Sequence, residues 1–130
     1  MSVINNVLLA VVEMMQDTEP YSTITIGAMP ADNGIACAIA NGNPVATFMP
    51  KSMSYELNIV LNGKHANQQT VSDALNDIHQ ALTMTKQYPA SEEWQINNIE
   101  TVSSPAYIGR EETKQYLFGS SLRVRFYYKK

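Results

Sequence analysis

A chain of 130 residues, 45% hydrophobic and 16% charged, has the length of one domain and the composition of a globular one, which excludes disorder as its main state. Its formal charge of −3 argues against broad nonspecific nucleic-acid binding by the isolated subunit. The single cysteine, Cys37, excludes an intrachain disulfide and fits a reducing site of folding. The low charge leaves a surface rich in Asn, Gln, Ser and Thr, which suits extensive contacts. The apolar start has no positive flank and meets Glu13 early. No signal peptide or membrane span is expected, and the expectation is a soluble, unexported protein.

Val3, Ile4, Val7, Leu8, Val11, Val12 and Met15 recur at helical spacing and predict a helix over about residues 3–17, stopped by Pro20. Leu9 and Met14 widen its apolar face. Thr23–Ile26 predicts a short strand. Gly27–Gly34, with Pro30, Asp32 and Asn33, predicts a loop. Ile35–Ala40 and Val45–Met49 predict two small-residue strands, and Asn41-Gly42 between them is a strong hairpin-turn signal. Pro44 places its strand at a sheet edge, because it cannot donate a ladder hydrogen bond.

Tyr55, Leu57, Ile59 and Leu61 alternate with Glu56, Asn58 and Val60, a half-buried strand that Asn62-Gly63 is expected to end. Asn67 predicts an N-cap for a helix to about Thr85, with the stripe Val71, Ala74, Leu75, Ile78 and Leu82. Tyr88-Pro89-Ala90 ends it. A strand from Trp94 follows, but its alternation is imperfect and leaves the buried face open. Ser104-Pro105 and Gly109 predict a loop through Glu112. In the last strand Leu122, Val124, Phe126 and Tyr128 oppose Arg123, Arg125 and Tyr127. The fold class expected is α+β: one domain over residues 1–130, a mixed or mainly antiparallel sheet, two helices on one face and an exposed β-hairpin.

Chemistry is sparse. His65 follows Gly63-Lys64 before a helix N-terminus, where an anion could bind, but no P-loop pattern accompanies it. His79 lies near Asp77 without further ligands at metal-site spacing. Glu92-Glu93 and Glu111-Glu112 are adjacent pairs whose side chains diverge, so neither forms an acid/base dyad. Cys37 lies among small apolar residues and reads as a packer. No catalytic, cofactor-binding or metal-ligating residue is assigned, no cofactor is implied, and no enzyme is expected. Arg123 and Arg125 point from one strand face with Tyr127. Three readings compete there: an exposed face that prevents aggregation, a protein contact, or DNA.

Four segments occur in order: Asn62-Gly63-Lys64-His65 with Gln68-Gln69-Thr70, Trp94-Gln95-Ile96 with Ile99-Glu100, Pro105–Glu112 (PAYIGREE), and Leu117–Leu122 (LFGSSL). As an ordered set they resemble the minor capsid, or tail-terminator-like, proteins of tailed bacteriophages and prophages. The resemblance spans Met53 to Lys130, and more loosely the N-terminal helix and hairpin. It implies a structural virion protein without known catalysis, a ring, commonly a hexamer, that caps the finished tail tube and offers the surface to which the head attaches. Implied partners are further copies of the chain, the tail-tube protein and a head-completion protein, with no membrane. DNA would pass through the ring without specific binding: six copies of −3 would sum to about −18, which repels it from the bore. The implied location is the head–tail junction of the virion, after synthesis in the bacterial host cytoplasm. Candidate contacts are Asn41, Gly42 and Asn43 in the hairpin, Pro105, Tyr107 and Arg110 in the loop, and Arg123, Arg125 and Tyr127 on the last strand. The alternatives are another head–tail connector or neck protein, and, from another class, a small ligand-binding or enzymatic domain around His65, Asp77 and His79.

Overall fold

The computed structural model describes residues 3–49, 52–112 and 114–129, and for 41–49, 52, 53 and 129 it describes the backbone alone. In chain order the elements are α1 (Val3–Gln16), β1 (Ile24–Ile26), β2 (Ile35–Met49), β3 (Ser52–His65), α2 (Gln68–Thr83), β4 (Trp94–Arg110) and β5 (Tyr116–Lys129). The strands form one mixed sheet in the order β1-β2-β3-β5-β4. Only β1 and β2 run parallel; the other neighbours are antiparallel. A parallel pair normally needs a long crossover. Here β1 has three residues, so the 27–34 loop has only ~10 Å to retrace.

Alternation makes the sheet one-sided. Leu57, Ile59 and Leu61 of β3 lie opposite Val124, Leu122 and Ser120 of β5, and all five apolar members are buried. The helices cover this face. α2 supplies Val71, Ala74, Leu75, Ile78 and Leu82, and α1 supplies Val7, Leu8, Val11 and Met15. The predicted stripe of α2 and its cap are both present: the Asn67 side chain accepts from the Thr70 backbone N–H at 3.2 Å. Gly63 is fixed by this packing, since a Cβ there would lie 2.9 Å from the Val71 side chain.

Three expected turns do not form. Asn41-Gly42 lies inside β2, paired with Asn58 and Leu57. A register shift after Ile39 absorbs the irregularity, and the long β3 ladder outweighs the local turn preference. The hairpin pairing is therefore that of β2 with β3 as a whole, from Ile35 opposite Gly63 to Met49 opposite Ser52. Asn62-Gly63 likewise continues β3, held between Ala36 and Ile35 on one side and Gly119 and Phe118 on the other. The Pro105–Glu112 loop is mostly strand: β4 runs to Arg110. Proline is tolerated there because β4 is an edge strand and Pro105 falls within a register shift between Ser103 and Ala106. Pro44 also stands on an edge, since β1 covers β2 only from Ile35 to Cys37.

The open question of the β4 face has a physical answer. A register shift between Ile96 and Asn98 reverses the alternation, so Trp94, Ile96 and Ile99 are all buried.

The layers differ in length. β3 has 14 residues, or ~46 Å, and α2 has 16, or ~24 Å. The sheet overhangs its helices. The overhang is the far part of β2–β3; β4 beyond Thr101 lies level with the first turns of α2, and every residue there but Pro105 and Gly109 is exposed. Leu75 is fully buried at the centre of α2. Leu75→Ala should therefore destabilise by about 2–5 kcal/mol, read as a lower denaturant midpoint at unchanged slope.

Candidate assembly surfaces

The sheet face away from the helices carries a charge ladder. Arg125 Nε donates to Glu56 Oε1 at 2.9 Å, and Arg123 Nη1 donates to Glu100 Oε1 at 3.2 Å. Arg125 also approaches Glu100 at 3.7 Å, and Arg123 Nε donates to Asn58 Oδ1 at 3.3 Å. The Tyr127 hydroxyl donates to Gln95 Oε1 at 2.8 Å. These are cross-strand neighbours, as the register requires. Both arginines thus have carboxylates of their own chain, and the two Arg and two Glu cancel in charge. The pairs are partly exposed, so each contributes at most about 1 kcal/mol. The result is a neutral, polar, ordered face rather than a cationic one.

The second surface is the distal half of β4. Val102, Tyr107 and Ile108 are exposed at 48%, 53% and 64%. Tyr107 meets Phe118 and Tyr116 at ring-centroid distances of 5.8 and 6.4 Å, and the Arg110 guanidinium lies 4.9 Å above the Tyr116 ring. Ile108 covers Gly119: a Cβ at that glycine would fall 2.6 Å from Ile108 Cδ1. Pro105, Tyr107 and Arg110 thus share one strand with the apolar residues Val102, which the sequence reading placed in the strand without marking it as a contact, and Ile108, which it passed over as loop. Of Asn41, Gly42 and Asn43 the backbone alone is described, as part of β2.

A knot at the end of β3 anchors this surface. Lys64 is 6% exposed, and its Nζ donates to Glu111 Oε1 at 3.0 Å. The Asn33 backbone N–H donates to the buried Gln115 Oε1 at 2.8 Å, and the Ala66 N–H donates to Asn33 Oδ1 at 3.2 Å. The Tyr21 hydroxyl lies 2.9 and 2.8 Å from the carbonyl oxygens of Gly34 and Lys64 and shares its one proton between them. Burial pushes its pKa up to about 12, so it remains a donor. Thus the end of β3 and the 27–34 loop, tied to each other by Tyr21, close on the β4–β5 turn.

The histidines do not converge. His65 Nδ1 accepts from the Asn67 N–H at 2.9 Å, and its ring meets Tyr21 edge-on at 4.8 Å. His79 is buried, its Nδ1 2.9 Å from Thr101 Oγ1. It stands three turns along α2, ~16 Å from the helix start. Asp77 lines hollows on the α1 side with Thr18, and neither histidine lines them. The ligand site around His65, Asp77 and His79 is not assembled. Burial raises the Cys37 thiol to about 11, which keeps it protonated and unreactive. Among the described residues no group of three His, Cys, Asp or Glu side chains could hold a metal ion, and no helix is long and apolar enough to cross a membrane.

A family model described as bacteriophage tail terminator protein matches residues 4–128. The chain belongs to the bacteriophage tail terminator family. It is thus a structural protein of a phage-type virion. A search of curated proteins found no match. Among solved structures, a chain of the virion of a native gene transfer agent particle superposes with a TM-score of 0.62 at 12% identity, over 100% of both chains. At that identity the likeness establishes the fold. The type 4 fimbrial biogenesis protein PilO from Pseudomonas aeruginosa gives a TM-score of 0.37 at 7% identity, over 100% of this chain and 72% of that one, too low to carry an argument.

The anchor makes an asymmetric prediction. Glu111→Ala leaves the Lys64 ammonium buried without its partner and should cost about 1–2 kcal/mol. Lys64→Met removes the charge and keeps the stem's packing, so it should cost less than about 1 kcal/mol. Urea denaturation of the two variants checks the order.

Proposed function

We propose that this tail terminator closes into a ring on the end of the tail tube and there forms the surface to which the head attaches. The observation that carries the reading is the distal half of β4, where Val102, Tyr107 and Ile108 stay exposed on a strand that the Lys64–Glu111 anchor holds in place. Exposed apolar side chains on an ordered edge suit a permanent contact. The register shifts of β4 and its proline oppose simple strand addition at that edge, so the contact is made by side chains. Its partners are a neighbouring copy and the tail-tube protein, with a head-completion protein on the opposite side of the ring. Pro105, Tyr107 and Arg110 belong to this contact. Asn41, Gly42 and Asn43 take part through the β2–β3 arm.

The neutral ladder of Arg123, Arg125, Glu56 and Glu100 gives the other face no grip on phosphate. That supports a bore through which DNA passes without being held. Ring closure needs a head-to-tail contact, in which two different surfaces of one chain meet. Distal β4 and the far part of β2–β3 supply two such surfaces.

Ile108→Asp tests this. The side chain is 64% exposed, so the fold should keep its stability within about 0.5 kcal/mol. Ring formation, followed by native mass spectrometry with the tail-tube protein present, should be lost, and tails in a complementation assay should lose their normal length control or head attachment. A variant that assembles and complements like the parent would refute the placement of the contact.

A further inference from the structure

We infer that His79 is a proton-sensitive tie between α2 and β4, and that its protonation loosens the exposed distal half of β4. For its biological use the inference rests on the assembly surface proposed above; the physical behaviour belongs to the chain itself.

His79 is 5% exposed. Its Nδ1 lies 2.9 Å from Thr101 Oγ1, one of the two carrying the shared proton. Its Nε2 is buried without a partner. Thr101 occupies a sensitive place in β4. A register shift separates it from Ser103, and beyond it every residue of β4 but Pro105 and Gly109 is exposed. The bond therefore fastens α2 to β4 at the root of this exposed half.

A neutral imidazole can occupy this site. An imidazolium has two N–H donors, and the one at Nε2 would be sealed from water and carbonyl alike. Among the described residues no carboxylate bonds to the ring to offset the charge. Asp73 and Asp77 stand exposed on the side of α2 that lines the hollow with Thr18. Glu13 of α1 is exposed. Glu100 of β4 is engaged by Arg123 and Arg125 of β5 on the far face of the sheet, and Lys86 is exposed beyond the helix end. Burial accordingly lowers the pKa of His79 below its usual 6.5. With the folded value depressed, the opened form takes the proton first. The tie is at full strength above pH 6.5 and weakens as pH falls below it, until the folded value is reached.

Native-state hydrogen exchange on the unassembled chain tests this. Protection of the amides of residues 98–108, corrected for intrinsic rates, should be flat above about pH 7 and fall by on the order of tenfold per pH unit below about 6.5. His79→Phe fills the same space without titrating and should remove that pH dependence while the neighbouring loops are unchanged. Parent protection that stays flat through the window, or a variant that keeps the parent's slope, overturns the inference. Should His79→Phe fail to fold, the NMR titration of His79 in the parent decides: a midpoint below 6.5 is expected, and one at or above it overturns the inference. Because the readout is taken without ring or tail, it stands or falls separately from the assembly role.

Discussion

The whole structure depends on burying one face of the central β3–β5 pair beneath α2. Leu57, Ile59, Leu122, Val124 and Phe126 are all at most 1% exposed, and Leu75 and Ile78 press on them from the helix with no exposed area of their own. The side-chain period of two then forces the alternate residues outward, where Glu56, Arg123 and Arg125 pair with one another and with Glu100. One helix packed on one sheet face thus determines both the core and the polar face. The constraint extends to Gly63, where the strand passes too close to Val71 for a larger residue.

Periodicity carried most of this. The α2 stripe and the Asn67 cap were legible because each depends on residues within one or two turns of each other. The alternations of β3 and β5 were legible for the same reason. What failed were the turns. Asn41-Gly42, Asn62-Gly63 and Ser104-Pro105 all have local turn chemistry, and in all three the ladder overrides it through contacts from distant parts of the chain. A strand can accept such residues by shifting register, and sequence spacing does not show which strand will do so. The bulge before Asn98 hid the β4 face for that reason.

The surfaces were legible to a lesser degree. Tyr107 and Arg110 were marked as contacts, though as loop residues. Ile108 was missed because, within a presumed loop, an isolated apolar residue carries no pattern, and Val102 because the imperfect strand alternation left its face open. Arg123 and Arg125 were visible as a face, but their neutralisation by Glu56 and Glu100 rests on cross-strand pairing. The Lys64–Glu111 pair joins residues 47 apart, and no local signal announces it.

For a tail terminator, these features divide the labour. A one-sided sheet keeps its outward face polar and charge-paired, while distal β4 leaves Val102, Tyr107 and Ile108 exposed. The most direct test is a cryo-EM map of the particle's tail end at side-chain resolution. The account predicts a closed ring of this chain at the tip of the tube, with Val102, Tyr107 and Ile108 buried against a neighbouring copy or the tube protein. A chain located elsewhere in the particle, or a ring in which distal β4 faces solvent, would contradict it.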